Sequence, residues 1–355
     1  MMILLKIAIH DEKLMFRKNT DAMNVKTSQI WNMEKKRIAV VSGGFSGEAA
    51  VSMRSASMVM THIDREKYSP IQVVIERKKW VAIVENQEIA IDKNDFSFEF
   101  NGVRNHFDGV FMIVHGTPGE DGILQGYFQL MGIPFTTGDV LNMAITFNKK
   151  STTDALRNLG YSVAKSVMVR EGEKVDVETI IAKLGLPCFV KPNNGGSSIG
   201  TSKVKASADL QIAVDKALKE DHQALIESFI DGVEVTCGVI QIQGKITALP
   251  LTEIVTENEF FDYQAKYEGA SQEITPARLP EKMSHQVRAL AARIYQDLRC
   301  SGMIRVDFII QNDEPHVIEV NTVPGFSEAS IIPQQAAAFG IDKTTLISTV
   351  ISSCF

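Results

Sequence analysis

The sequence predicts an α/β protein that starts with a buried parallel sheet. An apolar run from Ile38 to Val41 leads into glycines, and a helix-like segment follows from Glu48 to His62. "SPIQVVIE" and "GVFMIVHG" are again apolar for most of their length. Continuous apolar strands that are separated by helices are typical of a parallel sheet covered on both faces.

The pattern changes after the segment "MGIPFTTGD". "NKKSTTDALRNLGY" predicts a helix that ends at Gly160, and "PCFVKPNNGGSSIGTSKV" predicts a strand, a glycine loop and a strand. "ADLQIAVDKALKE" is an amphipathic helix, and "QALIESFIDGVEVTCGVIQ" reads as two strands around a turn. Two more strands, "MIRVDFIIQ" and "PHVIEVN", precede a closing helix.

These patterns predict three domains that follow a poorly ordered N-terminal extension. The first domain is α/β, and α+β structure follows it. We expect the extension over residues 1–35, the α/β domain over 36–138, a smaller domain with the glycine loop over 139–229, and a larger sheet domain over 230–355.

Composition excludes several classes of function. The net charge of −6 and the absence of a basic stripe argue against nucleic acid as a partner. No apolar run reaches the roughly 18 to 20 residues of a membrane helix, and the start "MMILLKIAIHDEK" lacks a signal-peptide pattern. Four scattered cysteines without a C-x-x-C motif fit reduced thiols. We therefore expect a cytoplasmic enzyme.

The glycine loop "KPNNGGSSIG", from Lys191 to Gly200, contains the residue types that hold phosphate. Glycines let backbone N–H groups turn towards an anion, and hydroxyls and a lysine add donors. The order differs from a P-loop, in which the lysine follows the last glycine. An ordinary Gly/Asn/Ser hairpin turn is the alternative, and the segment alone does not separate the two.

The segment "RVDFIIQNDEPHVIEVN" predicts a hairpin that carries acidic side chains. A turn centred on Asp313 places Asp307 opposite Glu319 and Arg305 opposite Asn321. Strand alternation then puts Asp307, Glu319 and Asn321 on one face. Facing carboxylates with no cation between them repel, and Mg²⁺ bridging to substrate phosphates relieves this. The alternative is a solvated hairpin face with incidental charges.

Six segments in one order carry a family resemblance: "VVSGGFSGEAAVSMRS", "HGTPGEDGILQGYFQLMGIPFTTG", "FVKPNNGGSSIGTSKV", "FDYQAKY", "IRVDF" and "IEVNTVPGFSEASIIP". Over roughly residues 36 to 355 the chain resembles the D-alanine–D-alanine ligases of the ATP-grasp superfamily. The resemblance implies a three-domain ATP-grasp fold with a Rossmann-like first domain. It also implies ATP-dependent joining of two D-alanines through an acyl phosphate for peptidoglycan synthesis, two Mg²⁺ or Mn²⁺ ions, and a homodimer.

The resemblance also implies roles for individual residues. The residues that match metal ligands are Asp307, Glu319 and Asn321. Glu48 matches the acid that binds the ammonium of the first substrate, and His115 matches a residue near that substrate. Ser197 and Tyr267 match the pair that joins the glycine loop to a tyrosine loop. Arg305 and the Gly325 N–H match the groups that stabilise the oxyanion, and Ser330 matches the contact to the carboxylate of the second substrate. As alternatives, Glu48 is an acid favoured by the helix dipole and His115 is a hydrogen-bonded loop histidine.

Nine residues stand at the positions of the family's nucleotide contacts. They are Lys149, Lys191, Gly196, Ser198, Glu227, Ser228, Ile230, Glu234 and Lys266. The chain departs from the family at Ser228, where many relatives have lysine, and at Asn148, where aspartate is usual. Glu120 and Asp121 are expected to be loop structure.

Three readings of the function compete. The first is a D-alanine–D-alanine ligase. The presence of Tyr267 in "FDYQAKYEG" favours an amine as the second substrate over D-lactate, the second substrate of some related ligases. A ligase for other amino acids is the second reading. A nucleotide-binding protein without activity is the third, and the intact set of matching residues argues against it.

Overall fold

The computed structural model describes residues 35–256 and 271–355, and their strands form three sheets. The first sheet has seven strands in the order β6-β5-β4-β3-β2-β1-β7. These strands are β1 (Lys36–Gly43), β2 (Tyr68–Ile75), β3 (Trp80–Val84), β4 (Gln87–Asp92), β5 (Ser97–Phe100), β6 (Val103–Asn105) and β7 (Gly109–Met112). β1 and β7 pair in parallel, whereas β2 to β6 form an antiparallel meander. The predicted α/β class is confirmed, with a mixed sheet.

Strand β1 is apolar throughout because both of its faces are covered. Ile38 and Val40 pack in one cluster with Val59 of helix α1 (Ala49–His62). Ala39 and Val41 pack on the other face with residues of helix α2 (Ile123–Met131). Burial on both sides leaves no position for a polar residue, which explains the absence of alternation in the sequence.

The second sheet has four antiparallel strands in the order β10-β9-β11-β8. They are β8 (Ser166–Arg170), β9 (Cys188–Pro192), β10 (Ser202–Val204) and β11 (Gln223–Ser228), and the helices of this region are α3 (Val140–Phe147), α4 (Lys149–Asn158), α5 (Val177–Leu184) and α6 (Leu210–Ala217). Cys188 and Val190 join the core formed with α5 and α6. Alternation along β9 therefore turns Lys191 to the opposite face of the sheet.

The third sheet has six strands, ordered β15-β14-β12-β16-β17 with β13 paired to β12. They are β12 (Val233–Ile242), β13 (Lys245–Ala248), β14 (Thr252–Thr256), β15 (Ser271–Ile274), β16 (Ile304–Gln311) and β17 (Glu314–Asn321), with helices α7 (Glu281–Asp297), α8 (Ile331–Phe339) and α9 (Lys343–Ser352). Val306 and Phe308 of β16 are fully buried among residues that include α7. The side chains of the intervening positions in β16 lie on the other face.

The acidic hairpin forms with the predicted pairing, Asp307 opposite Glu319 and Arg305 opposite Asn321. The turn itself is centred between Asn312 and Asp313, since Gln311 pairs with Glu314. A register shift beside Asp307 moves the pairing by one residue, and this bulge is what brings the two carboxylates opposite each other.

No helix in the two described ranges is long and apolar enough to cross a membrane.

Candidate active site

An intersheet cavity lies between the second and third sheets, because strands of both supply its walls. The predicted residues that line it are Lys149, Lys191, Gly196, Ser197, Ser198, Glu227, Ser228, Ile230, Glu234, Asp307 and Glu319. They come from sequence positions up to 170 residues apart, yet they face one space. The intersheet cavity is thus lined by every predicted nucleotide residue that the structure describes.

A second cavity, here the adjoining cavity, shares Gly196, Ser197 and Glu319 with the first. The other predicted residues that line it are Glu48, His115, Arg305, Asn321, Gly325 and Ser330. Tyr267 and Lys266 lie outside the described residues, so their predicted roles stay predictions. All other predicted site residues line one of the two cavities.

Lys191 is a buried cation with a buried partner. Its ammonium lies 2.5 Å from Glu227, and the two side chains are only 12% and 8% exposed. Burial lowers the pKa of Lys191, but Glu227 and Glu319 more than offset this and the net pKa is raised. The side chain therefore stays charged at neutral pH and presents a positive charge to the intersheet cavity.

The glycine loop contacts Glu48, the N-cap residue of helix α1, through Ser197. Its hydroxyl donates to Glu48 Oε1 at 2.5 Å, across 149 residues of sequence. A Cβ on Gly196 would lie 2.7 Å from the same oxygen, so only glycine allows this approach without displacing the carboxylate. Lys149 Nζ donates to Gly195 O at 2.5 Å and supports the loop from the other side.

On the face of the acidic hairpin, the guanidinium group of Arg305 lies beside both carboxylates, 2.8 Å from Asp307 and 3.9 Å from Glu319. Arg305 donates to both oxygens of Asp307, Nε to Oδ1 and Nη2 to Oδ2, each at 2.8 Å. Thr236 Oγ1 donates to Oδ1 at 2.6 Å, and Asn321 Nδ2 donates to Oδ2 at 3.0 Å. Arg305 and Asp307 are two residues apart on one strand, so alternation places them on the same face.

The donor set of this face fits a hard divalent cation. Asp307, Glu319 and Asn321 converge, since the Asn321 amide lies 3.0 Å from Asp307 Oδ2 and 3.3 Å from Glu319 Oε1. A rotation of that amide would present its oxygen instead. No group of three or more His, Cys, Asp or Glu side chains suited to a metal occurs in residues 35–256 and 271–355. Mg²⁺ held by two carboxylates takes its remaining oxygens from water and phosphates.

His115 is bonded through both of its ring nitrogens. Nδ1 lies 2.9 Å from Val323 O and Nε2 lies 3.1 Å from Ser55 Oγ. Burial lowers the pKa of His115, so the ring is neutral at pH 7. A carbonyl only accepts, so Nδ1 carries the proton and Nε2 accepts from Ser55. Because the Phe326 N–H also donates to Ser55, at 3.3 Å, this network positions the segment that contains Gly325.

The two departures from the family pattern have structural partners. Ser228 lines the intersheet cavity, and its hydroxyl accepts from the Lys165 N–H at 3.1 Å. Asn148 caps helix α4, where its side chain accepts from the Ser151 N–H at 2.9 Å. Asparagine is as good a helix cap as aspartate.

Two acidic residues of the adjoining cavity, Glu120 and Glu273, were not predicted to be site residues, and Glu120 was expected to be loop structure. Glu120 accepts from the Gly116 N–H at 3.0 Å and lines the cavity near Glu48. Glu273 of β15 lines the same cavity. The glycine-rich segment "HGTPGEDG" was a signal for Glu120 as a site residue, since close backbone approach there brings an acid inward. Nothing in the sequence marks Glu273.

Glu120 gives the fold a pH-dependent cost. Burial, and then repulsion by Glu48, raise the pKa of Glu120 to about 8 from 4.5. The folded state therefore keeps a proton that the unfolded chain loses, so stability falls as pH rises from about 4.5 to 8.

Replacing Glu120 with glutamine should remove that cost. Between pH 5 and pH 8, the free energy of unfolding of the variant should rise by roughly 2–4 kcal/mol relative to that of the parent. The size follows because one pKa unit is about 1.4 kcal/mol. Denaturant unfolding at both pH values measures the difference. Parallel pH profiles for the two proteins would show that Glu120 ionises normally.

Comparisons with known proteins agree with the geometry. The D-ala D-ala ligase N-terminus family model matches residues 37–138, and the D-ala D-ala ligase C-terminus model matches residues 155–352. D-alanine–D-alanine ligases of Phocaeicola vulgatus and Flavobacterium johnsoniae are each 47% identical to this chain, covering 90% and 89% of it and 100% and 98% of their own length.

Two solved structures extend the likeness to the fold. VanG D-Ala:D-Ser ligase from Enterococcus faecalis superposes with a TM-score of 0.82 at 31% identity, covering 91% of this chain and 100% of that one. The D-alanine–D-alanine ligase from Bacillus anthracis complexed with ATP superposes with a TM-score of 0.73 at 27% identity, covering 90% and 97%.

Proposed function

The chain belongs to the D-alanine–D-alanine ligase family, and we propose that it joins two D-alanines with ATP where the two cavities meet. One observation carries the proposal: the cavities share Gly196, Ser197 and Glu319. A triphosphate whose end lies at this junction can receive a carboxylate from the adjoining cavity. The dipeptide formed is a precursor for peptidoglycan.

The intersheet cavity supplies the nucleotide contacts in this proposal. Glu227, Ile230 and Glu234 hold the adenosine, with Ser228 beside them. The Lys191 and Lys149 ammonium groups neutralise the phosphates. The N–H groups of the glycine loop, which includes Gly196 and Ser198, turn towards the same anion because Ser197 and Ser198 have positive φ values of 54° and 58°.

The adjoining cavity supplies the amino-acid contacts. Glu48 binds the ammonium of the first D-alanine and is fixed by Ser197 at 2.5 Å. The first carboxylate attacks the γ-phosphorus, ADP leaves, and an acyl phosphate forms. Arg305 and the Gly325 N–H stabilise the oxyanion that develops when the second amine attacks the acyl carbon and phosphate leaves. Ser330 binds the second carboxylate, and His115 holds Gly325 in place.

Asp307, Glu319 and Asn321 would hold Mg²⁺ or Mn²⁺, as two ions. When bound, these ions would neutralise the phosphate charge and orient the phosphate groups. Arg305 would then exchange its bond with Asp307 for contacts with the transferring phosphate. The bidentate pair keeps the guanidinium charged, half-buried and close to the junction until that exchange.

The experiment that tests the proposal is ADP release by purified protein with ATP and Mg²⁺. D-alanine should drive it and yield the dipeptide, while L-alanine should not. D-serine and D-lactate are tested as second substrates beside D-alanine, since the D-Ala:D-Ser ligase shares the fold. ADP release that requires L-amino acids would replace this function with ligation of other substrates.

We also propose that the chain forms a homodimer through helices α2 and α3. These adjacent helices expose Leu130 and Leu141, with 80% and 63% of each residue accessible. Exposed apolar patches of this kind mark protein interfaces. The double substitution Leu130→Glu, Leu141→Glu should give a monomer by light scattering, whereas Ile212→Glu, at an exposed position of α6, should not. A wild-type monomer at tens of micromolar would refute the pairing.

A further inference from the structure

The adjoining cavity must bind two zwitterions, and only one ammonium has an assigned partner. This inference rests on the proposed function, in which both substrates are D-alanine. Each substrate enters with an ammonium and a carboxylate, and a charged group that leaves water needs a partner of opposite charge. Glu48 serves the first ammonium. The second ammonium needs an acid near Ser330, which binds the second carboxylate.

Glu273 is tied directly to the segment that carries Ser330. Its Oε2 accepts from Gln334 Nε2 at 2.9 Å, and the same Nε2 donates to Ala329 O at 2.8 Å. Ala329 immediately precedes Ser330. Glu273, Ala329 and Ser330 all line the adjoining cavity. Strand β15 fixes the backbone of Glu273, which pairs with Ile254 of β14.

The other acids of the cavity are committed elsewhere. Glu120 accepts from the Gly116 N–H and lies near enough to Glu48 for that carboxylate to raise its pKa, so it belongs to the first substrate's end. Glu319 contacts Asn321 and belongs to the hairpin face. Among the described residues that line the adjoining cavity, Glu273 is therefore the acid left for the second ammonium.

We propose that Glu273 is a specificity-determining residue that binds the ammonium group of the second D-alanine. Before attack, one proton passes from that nitrogen to a Glu273 carboxylate oxygen, which leaves an electron pair on the nitrogen. The amine then attacks the acyl carbon, the carbon–oxygen bond to phosphate breaks, and the second proton of the nitrogen leaves with the phosphate. A hydroxyl acid such as D-lactate brings no positive charge to this carboxylate, so Glu273 selects for an amine.

The surroundings of Glu273 suit this exchange of a proton. Burial raises its pKa, while the Gln334 hydrogen bond and the charge of Arg305 act in the opposite direction. A carboxylate with a raised pKa accepts a proton from an ammonium more readily than an exposed one does.

The test compares Glu273→Gln with Glu328→Gln in two reactions. Glutamine has nearly the same shape as glutamate and retains an oxygen that can accept from Gln334. The control residue, Glu328, is an exposed acid of the neighbouring segment that pairs with His62 and Lys343. The first reaction is dipeptide formation from D-alanine. The second replaces the second substrate with hydroxylamine, an uncharged nucleophile at pH 7.5, which attacks the acyl phosphate and gives D-alanyl hydroxamate with release of phosphate.

We expect Glu273→Gln to slow dipeptide formation about tenfold or more, as for loss of a hydrogen bond to a charged group. Hydroxamate formation should stay within about twofold of wild type. With D-alanine and D-lactate mixed, the ratio of dipeptide to depsipeptide should fall about tenfold. Glu328→Gln should leave all three results unchanged.

Two results would overturn the role of Glu273. One is an unchanged ratio of dipeptide to depsipeptide in Glu273→Gln, and the other is an equal loss of dipeptide and hydroxamate. Glu273→Asp, which keeps the charge, should lie between glutamine and wild type, and a fall to the glutamine level would count against the proposal. A wild-type protein that forms neither product refutes the proposed function itself, which is a separate outcome.

Discussion

Replacing Lys191 with methionine is expected to stop ligation and to destabilise the fold by about 3–5 kcal/mol. The activity is lost because Lys191, buried beside Glu227, supplies a positive charge to that wall of the intersheet cavity. The stability is lost because Glu227, only 8% exposed, is left as a buried charge with no partner at 2.5 Å. ADP release and denaturant unfolding measure the two effects.

The matched control is the double substitution Lys191→Met, Glu227→Gln. It removes both charges, so most of the stability should return while activity stays absent. Lys203→Met, on the neighbouring strand β10, should behave like wild type in both assays. Full activity of Lys191→Met would mean that the phosphates lie elsewhere.

Replacing Asp307 with alanine is expected to abolish turnover and to cost roughly 2–3 kcal/mol of stability. Repulsion between the facing carboxylates would by itself favour a neutral or stabilising change, because Glu319 would lose a repulsive neighbour. The contacts reverse that expectation: Asp307 accepts two bonds from Arg305 and one from Thr236, and its removal leaves a half-buried guanidinium without its main partner.

Asp313→Ala is the control for Asp307→Ala, since it removes an acid from the turn of the same hairpin. It should leave ADP release unchanged. Residual stability is followed by denaturant unfolding, and turnover by ADP release at saturating Mg²⁺. Asp307→Ala with substantial turnover would show that the hairpin face is not where the metal is held.

The hairpin shows how far sequence reasoning reached and why it succeeded. A turn centred on Asp313 predicted that Asp307 faces Glu319, and the two do face each other. The real turn, at Asn312 and Asp313, would pair Asp307 with Ile318 were it not for the bulge. Asn312 and Asp313 take positive φ values of 51° and 63°, which two-residue hairpin turns require. Bulges leave no clear mark in a single sequence.

Charge partners were harder to predict than strand positions. Alternation could place Arg305 and Asp307 on one face, but their bidentate geometry depends on rotamers that tertiary packing selects. The Ser55–His115–Val323 network joins residues up to 268 positions apart, so local pattern carries no signal for it. Glu273 is recognised as a site residue from its place in the adjoining cavity and from its hydrogen bond with Gln334, which lies 61 residues away.

The central claim is that a D-alanine carboxylate takes the γ-phosphate of ATP at the junction of the two cavities. It is tested most directly with D-alanine labelled with ¹⁸O in both carboxylate oxygens. The account predicts that each dipeptide formed releases one phosphate that carries one ¹⁸O, because the carboxylate oxygen that attacked phosphorus leaves with it. Phosphate without ¹⁸O would mean that water attacks ATP and would contradict the account.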